Sequence, residues 1–115
     1  MIRSSAATLI ETLEDDKAED IISIDLEGKT SIADTMIIAS GRSARLVSAM
    51  ADHLTRNLKE GGKNKYRVEG LPNADWVLID TGDIIVHLFR PEVRKFYNLE
   101  RIWASEVSNH RLERT

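Results

Sequence analysis

Two stretches of the chain carry residue types suited to phosphate or metal chemistry. Ser40-Gly41-Arg42-Ser43 falls between an apolar run and the start of a helical pattern, where free backbone N–H groups and the helix dipole can hold an anion. A plain strand-to-helix turn with a serine cap accounts for the same residues, and the further glycines and lysine of a P-loop are missing. Asp80 and Asp83 offer two carboxylates that could share a divalent ion. Their spacing opposes this, because side chains on one strand face lie two apart, and a spacing of three straddles a turn, where aspartate is a favoured residue. A nucleotidyltransferase-like enzyme would use Gly41-Arg42-Ser43 for phosphates and Asp80 with Asp83 for magnesium. Such an enzyme usually has two carboxylates one residue apart on a strand, and the stretch after residue 60 offers none.

Other chemistries find less. His53, His87 and His110 are scattered, without the close spacing of a zinc or iron site. His87 alternates with Ile85 and Phe89, which suits a hydrogen-bonded, half-buried residue. Gly41-Arg42-Ser43 lacks the second glycine of a nucleophile elbow. With no cysteine in the chain, disulfides, thiolate zinc sites and cysteine nucleophiles are closed. No cofactor, metal or catalytic residue is expected.

Aromatic residues suggest a contact surface instead. Trp76, Tyr97 and Trp103 fall in the last forty residues, with Arg94 and Glu100 nearby, and aromatics with arginine dominate interface hot spots. The same residues would also serve as core between a hairpin and a closing helix. Trp76 is the least core-like of them, because its strand face also carries Leu78 and Asp80.

The elements that must position these residues are legible from periodicity. Ala6, Leu9, Ile10 and Leu13 form the stripe of a helix over roughly 5–17, with Ser4 or Ser5 as N-cap. The Asp15-Asp16 pair opposes the dipole at its C-terminal end, which should fray. Ile22, Ile24 and Leu26 alternate with polar residues as a half-buried strand, and Thr35 to Ala39 reads as a strand buried on both faces in mid-sheet. Val47, Met50, Ala51, Leu54 and Leu58 define a second helix over roughly 43–60, punctuated by Gly61-Gly62. Lys65 to Val68 is a weak strand. Trp76 to Ile79 and Ile84 to Phe89 flank Asp80-Thr81-Gly82-Asp83 as a hairpin. Pro91 opens one or two short helices carrying Val93, Phe96, Tyr97, Leu99, Ile102 and Trp103. The order predicts an α/β chain of α+β character, a mixed sheet of about five strands flanked by helices, in which only the second-helix crossover demands parallel neighbours. Residues 1–104 form a single domain, and 105–115 a tail expected to fray.

The 115 residues are 42% apolar and 30% charged, the composition of a folded globular chain. No apolar run approaches a membrane span, and no secretory h-region follows Met1, so a cytoplasmic protein without membrane contact is expected. Net charge is −3 and the sequence pI about 5.6, unlike a chain that grips nucleic acid chiefly through phosphates. Residues 1–34 hold nine acidic and three basic side chains, and 35–115 ten acidic and thirteen basic.

A longer pattern runs through the chain: Asp20-Ile21-Ile22, Ser31-Ile32-Ala33-Asp34-Thr35-Met36-Ile37-Ile38-Ala39-Ser40-Gly41-Arg42-Ser43, Ala51-Asp52-His53, Val68-Glu69-Gly70, Ala74-Asp75-Trp76-Val77-Leu78-Ile79-Asp80, Gly82-Asp83-Ile84-Ile85-Val86-His87, and Tyr97-Asn98-Leu99-Glu100 with Trp103. Over roughly residues 5–104 it resembles the ribosomal silencing factor family, RsfS or Iojap. Thr35-Met36 stands where many members have an aromatic, and the tail after Trp103 is not a family feature. The resemblance implies a minimal nucleotidyltransferase-like fold without enzymatic activity. It implies binding to the large ribosomal subunit at that subunit's ribosomal protein fourteen, blocking small-subunit joining and damping translation when nutrients are scarce. Organelle relatives act in large-subunit assembly, and homodimers are a family trait. Carried over, Trp76, Leu78 and Asp80 along one strand, and Arg94, Tyr97, Leu99 and Glu100 in the closing segment, are the expected partner surface. No sequence-specific nucleic-acid contact is expected. Ribosomal proteins are usually basic, so a mildly acidic partner suits a protein-to-protein contact.

Overall fold

A computed structural model describes residues 6–28, 31, 33–63, 65–71 and 73–93. The elements run α1 (Ala6–Asp15), β1 (Glu19–Asp25), β2 (Thr35–Ser40), α2 (Ala44–Glu60), β3 (Arg67–Glu69), β4 (Trp76–Asp80) and β5 (Ile84–Phe89). Residues 91–93 are helical after Pro91. The expected closing helices beyond them, the tail, and the Ser4 or Ser5 cap lie outside the described residues.

The five strands form one mixed sheet in the order β1-β2-β5-β4-β3. Among the described residues its single parallel pair is β2 with β5, Thr35 opposite Ile84 through Ser40 opposite Phe89. The crossover through α2 therefore links two strands, β2 and β3, that are not neighbours. The antiparallel pairs β3–β4 and β4–β5 fold the chain back to fill the gap. β2 sits inside the sheet with Met36 to Ser40 buried, as an unbroken apolar run requires.

Alternation along the strands builds two cores. Ile37 and Ala39 of β2, Val77 and Ile79 of β4, and Ile84, Val86 and Leu88 of β5 face the helices. They pack on Leu9 and Leu13 of α1 and on Val47, Met50, Ala51, Leu54 and Leu58 of α2. On the opposite face Ile24, Leu26, Met36, Ile38 and Phe89 form a second cluster, joined by Ile22, Trp76 and Val93. Truncating a buried leucine such as Leu54 costs about 2–5 kcal/mol in sites of this kind.

The helix ends are closed by specific bonds. Ser43 caps α2, its hydroxyl accepting from the N–H of Leu46. Gly41 sits under the helix: a Cβ there would meet Met50 Cε at 2.7 Å and Val47 Cγ2 at 3.0 Å. The end of α1 is better tied than its two aspartates suggest. Lys17, at φ 66°, donates its N–H to Glu14, and Ala18 donates to Leu13, the paired bonds of a left-handed helix terminus. Asp16 Oδ2 lies 2.7 Å from His53 Nδ1, and Asn57 donates to the Thr12 hydroxyl, so α1 is fastened to α2.

Candidate partner-binding face

The row Trp76, Leu78, Asp80 is fixed by the period of β4. Val77 and Ile79 are buried beneath the helices, and the three alternate residues are half-buried on the other side. Antiparallel register with β5 sets Trp76 opposite Phe89, Leu78 opposite His87 and Asp80 opposite Ile85. Residues two apart on a strand stand roughly 7 Å from one another, so the row is a short line of an aromatic, an aliphatic and an acid.

Trp76 does not project freely. Its ring stacks on Phe89 with centroids 5.0 Å apart and planes at 26°. Its indole Nε1 donates to Nδ1 of His87 at 2.9 Å. His87 also lies 5.9 Å from Phe89, at 24°. An imidazole that accepts at Nδ1 is neutral, with its proton on Nε2. Burial supports that state, lowering the His87 pKa from 6.5 to about 4 because a charged ring would be desolvated. The three rings hold the indole in one orientation, so little side-chain freedom remains to be lost when a partner docks.

The approach to β4 is equally constrained. Gly70, at φ 103°, lies so close to the strand that a Cβ would come 2.1 Å from the carbonyl oxygen of Trp76. Gly70 accepts a backbone bond from buried Ala74, itself at φ 59°. Arg90 then clamps the strand entry: its N–H donates to the Asp75 carbonyl, and its guanidinium pairs with Asp75 at 2.9 Å and Glu92 at 3.0 Å.

At the far end of the row the aspartates serve the hairpin. Asp80 Oδ1 accepts from the N–H of Gly82 at 2.9 Å, and Oδ2 lies 3.5 Å from Arg67. Asp83 Oδ1 accepts from the Thr81 hydroxyl at 3.0 Å. Both carboxylates thus bond within the hairpin, Asp80 from the end of β4 and Asp83 from the turn. Among the described residues no cluster of three or more histidines, aspartates or glutamates could hold a metal. Ser40-Gly41-Arg42-Ser43 is taken up structurally as well, since Gly41 donates to Phe89, Arg42 pairs with Glu19 at 3.1 Å and Ser43 caps α2. No helix among the described residues is long and apolar enough to cross a membrane.

Trp76, Leu78 and Asp80 are therefore brought into one row, while Arg94, Tyr97, Leu99, Glu100 and Trp103 lie outside the described residues. Sequence reasoning missed the pairing of His87 with Trp76 and the contact of Gly70 with the Trp76 carbonyl. The alternation of His87 with Phe89 carried the only signal for the first.

Residues 1–115 match the profile of the family described as ribosomal silencing factor during starvation. The ribosomal silencing factor RsfS of Zymomonas mobilis is 60% identical over 94 residues, covering 82% of this chain and 71% of that protein. A crystal structure of a protein from Chromobacterium violaceum superposes with a TM-score of 0.80 at 43% identity, covering 84% of this chain and 80% of that one. More distantly, the mouse protein named mitochondrial assembly of ribosomal large subunit protein 1 is 33% identical over 99 residues, covering 84% of this chain and 43% of its own length.

Proposed function

The chain belongs to the ribosomal silencing factor family, and from that premise we propose that it binds the large ribosomal subunit at that subunit's ribosomal protein fourteen and sterically blocks joining of the small subunit. The observation that carries the reading is the row Trp76, Leu78, Asp80, with its indole held in place by Phe89 and His87. A pre-oriented aromatic beside an aliphatic and an acid is the make-up of an interface anchor, and the acid suits a basic ribosomal protein. Arg94, Tyr97, Leu99 and Glu100 extend the same surface in this proposal.

Occlusion requires affinity at a place the small subunit must occupy and no bond-making group. The chain would then act without catalysis, cofactor or metal, in the cytoplasm, repressing translation under nutrient limitation. The name of the mouse relative favours a second role in large-subunit assembly. A homodimer whose interface overlapped this row would compete with ribosome binding by mass action.

Binding to isolated ribosomal protein fourteen, measured by biolayer interferometry for the wild type and for Leu78→Ala, tests the contact directly. Saturable binding weakened by the substitution supports the proposal; absence of binding in the wild type contradicts it.

A further inference from the structure

The modest net charge conceals a strong separation across the sheet. Residues 11–28, covering the second half of α1 and all of β1, hold eight carboxylates and one lysine. Residues 56–67, from the last turns of α2 into β3, hold Arg56, Lys59, Lys63, Lys65 and Arg67 against Glu60. β1 and β3 are the two edges of the sheet. Four interstrand steps separate them, about 19 Å at 4.7–4.9 Å each, more than twice the roughly 8 Å screening length at physiological salt. The acidic residues of β1 therefore do not neutralise the basic edge towards an outside partner, whereas those of α1 lie beside α2, to which Thr12–Asn57 and Asp16–His53 join them.

The basic edge also holds charge that the fold does not use. Arg42, Arg56, Arg67 and Arg90 each face a carboxylate within ion-pair distance. Lys59, Lys63 and Lys65 face none among the described residues, and Lys59 and Lys65 are exposed. The backbone brings them to one corner: Gly62 donates to the carbonyl of Lys59, Lys63 donates to Leu58, and Lys65 lies two residues before β3. Arg67 sits opposite Asp80, the other end of β4 from Trp76. A cation at the end of a helix is favoured by its dipole, which accounts for Lys59 but not for Lys63 and Lys65 along the edge.

We infer that this corner, Lys59, Lys63, Lys65 and Arg67, contacts the phosphate backbone of ribosomal RNA while the acidic β1 edge is turned away from it. The inference rests on the proposed large-subunit binding. A basic edge repels ribosomal proteins that are themselves basic and fits the polyanion that surrounds them. Such a contact fixes orientation and carries no sequence information, so it supplements the Trp76 row with a second, salt-sensitive point of attachment.

The test is the salt dependence of binding to purified large subunits, from about 50 to 200 mM monovalent salt, for the wild type, for Lys59→Gln/Lys63→Gln/Lys65→Gln, and for Asp20→Asn/Asp25→Asn/Glu27→Gln. Each phosphate contact contributes about 0.7–0.9 to the slope of log affinity against log salt. The lysine variant should lose about 2 from that slope and bind about tenfold or more weakly at the low-salt end, while the acidic-edge variant keeps the wild-type slope. A wild-type slope in the lysine variant overturns the inference and leaves large-subunit binding standing. Failure of the wild type to bind overturns both. Should the triple variant melt early by circular dichroism, the single variants serve, each expected to lower the slope by a little less than one.

Discussion

The indole N–H of Trp76 donates to Nδ1 of His87 on the neighbouring strand at 2.9 Å, and this bond fixes the protonation state of a buried histidine and the orientation of an interface aromatic together. Trp76→Phe keeps a ring to stack on Phe89 but removes the donor. It leaves a buried imidazole nitrogen unpaired, which typically costs about 1–3 kcal/mol. The urea unfolding midpoint should fall accordingly, and an unchanged midpoint would show that the bond adds no stability.

The same histidine makes stability depend on pH. Its folded pKa, about 4, lies below the ordinary 6.5, so the unfolded chain takes up a proton between those values and the folded chain does not. Stability from this group is complete above pH 6.5 and is lost as pH falls towards 4, by on the order of 3 kcal/mol in total. Urea titrations at pH 7.5 and pH 5 should show a loss in the wild type that is smaller in His87→Gln. Equal losses in the two proteins would contradict the assignment.

Gly70→Ala should be among the most damaging single-methyl changes in the described fold. The added Cβ would lie 2.1 Å from the Trp76 carbonyl oxygen at a φ of 103°, and the neighbour is backbone, which cannot swing aside. A loss of about 2 kcal/mol or more in unfolding free energy is expected. Gly28→Ala, where no atom lies within 4 Å of the added methyl at a φ of 79°, should cost less, and the reverse order would count against the close approach.

Large-subunit affinity should respond along the row and not at the hairpin turn beside it. Trp76→Ala removes an anchor of a kind worth about 2 kcal/mol or more, roughly a thirtyfold loss of affinity. Leu78→Ala should weaken binding without disturbing the three rings. Asp83→Asn, which keeps an acceptor for the Thr81 hydroxyl, should bind within about threefold of wild type. Equal effects of all three in a pelleting assay would mean the row is not the contact.

How far the fold was legible depended on whether its determinants were local. The spacing of Val47, Met50, Ala51, Leu54 and Leu58 placed all five in the core, because a helical stripe is written within one element. The hairpin at Asp80 to Asp83 followed from its turn residues for the same reason. β3 lies at Arg67–Glu69 rather than Lys65 to Val68, a shift expected of a short edge strand with little apolar content. Pairing of β2 with β5 depends on where the chain returns after α2, which no local pattern records. The candidate row was readable as alternation from Trp76 to Asp80. Its support was not: His87 meets Trp76 through cross-strand register, and Gly70 meets it through a close backbone approach.

Sucrose-gradient sedimentation of purified large and small subunits, with and without the protein, tests occlusion most directly. The account predicts comigration with the large subunit and loss of the joined-ribosome peak, both reduced by Trp76→Ala. Subunits that join normally while the protein stays at the top of the gradient would contradict it.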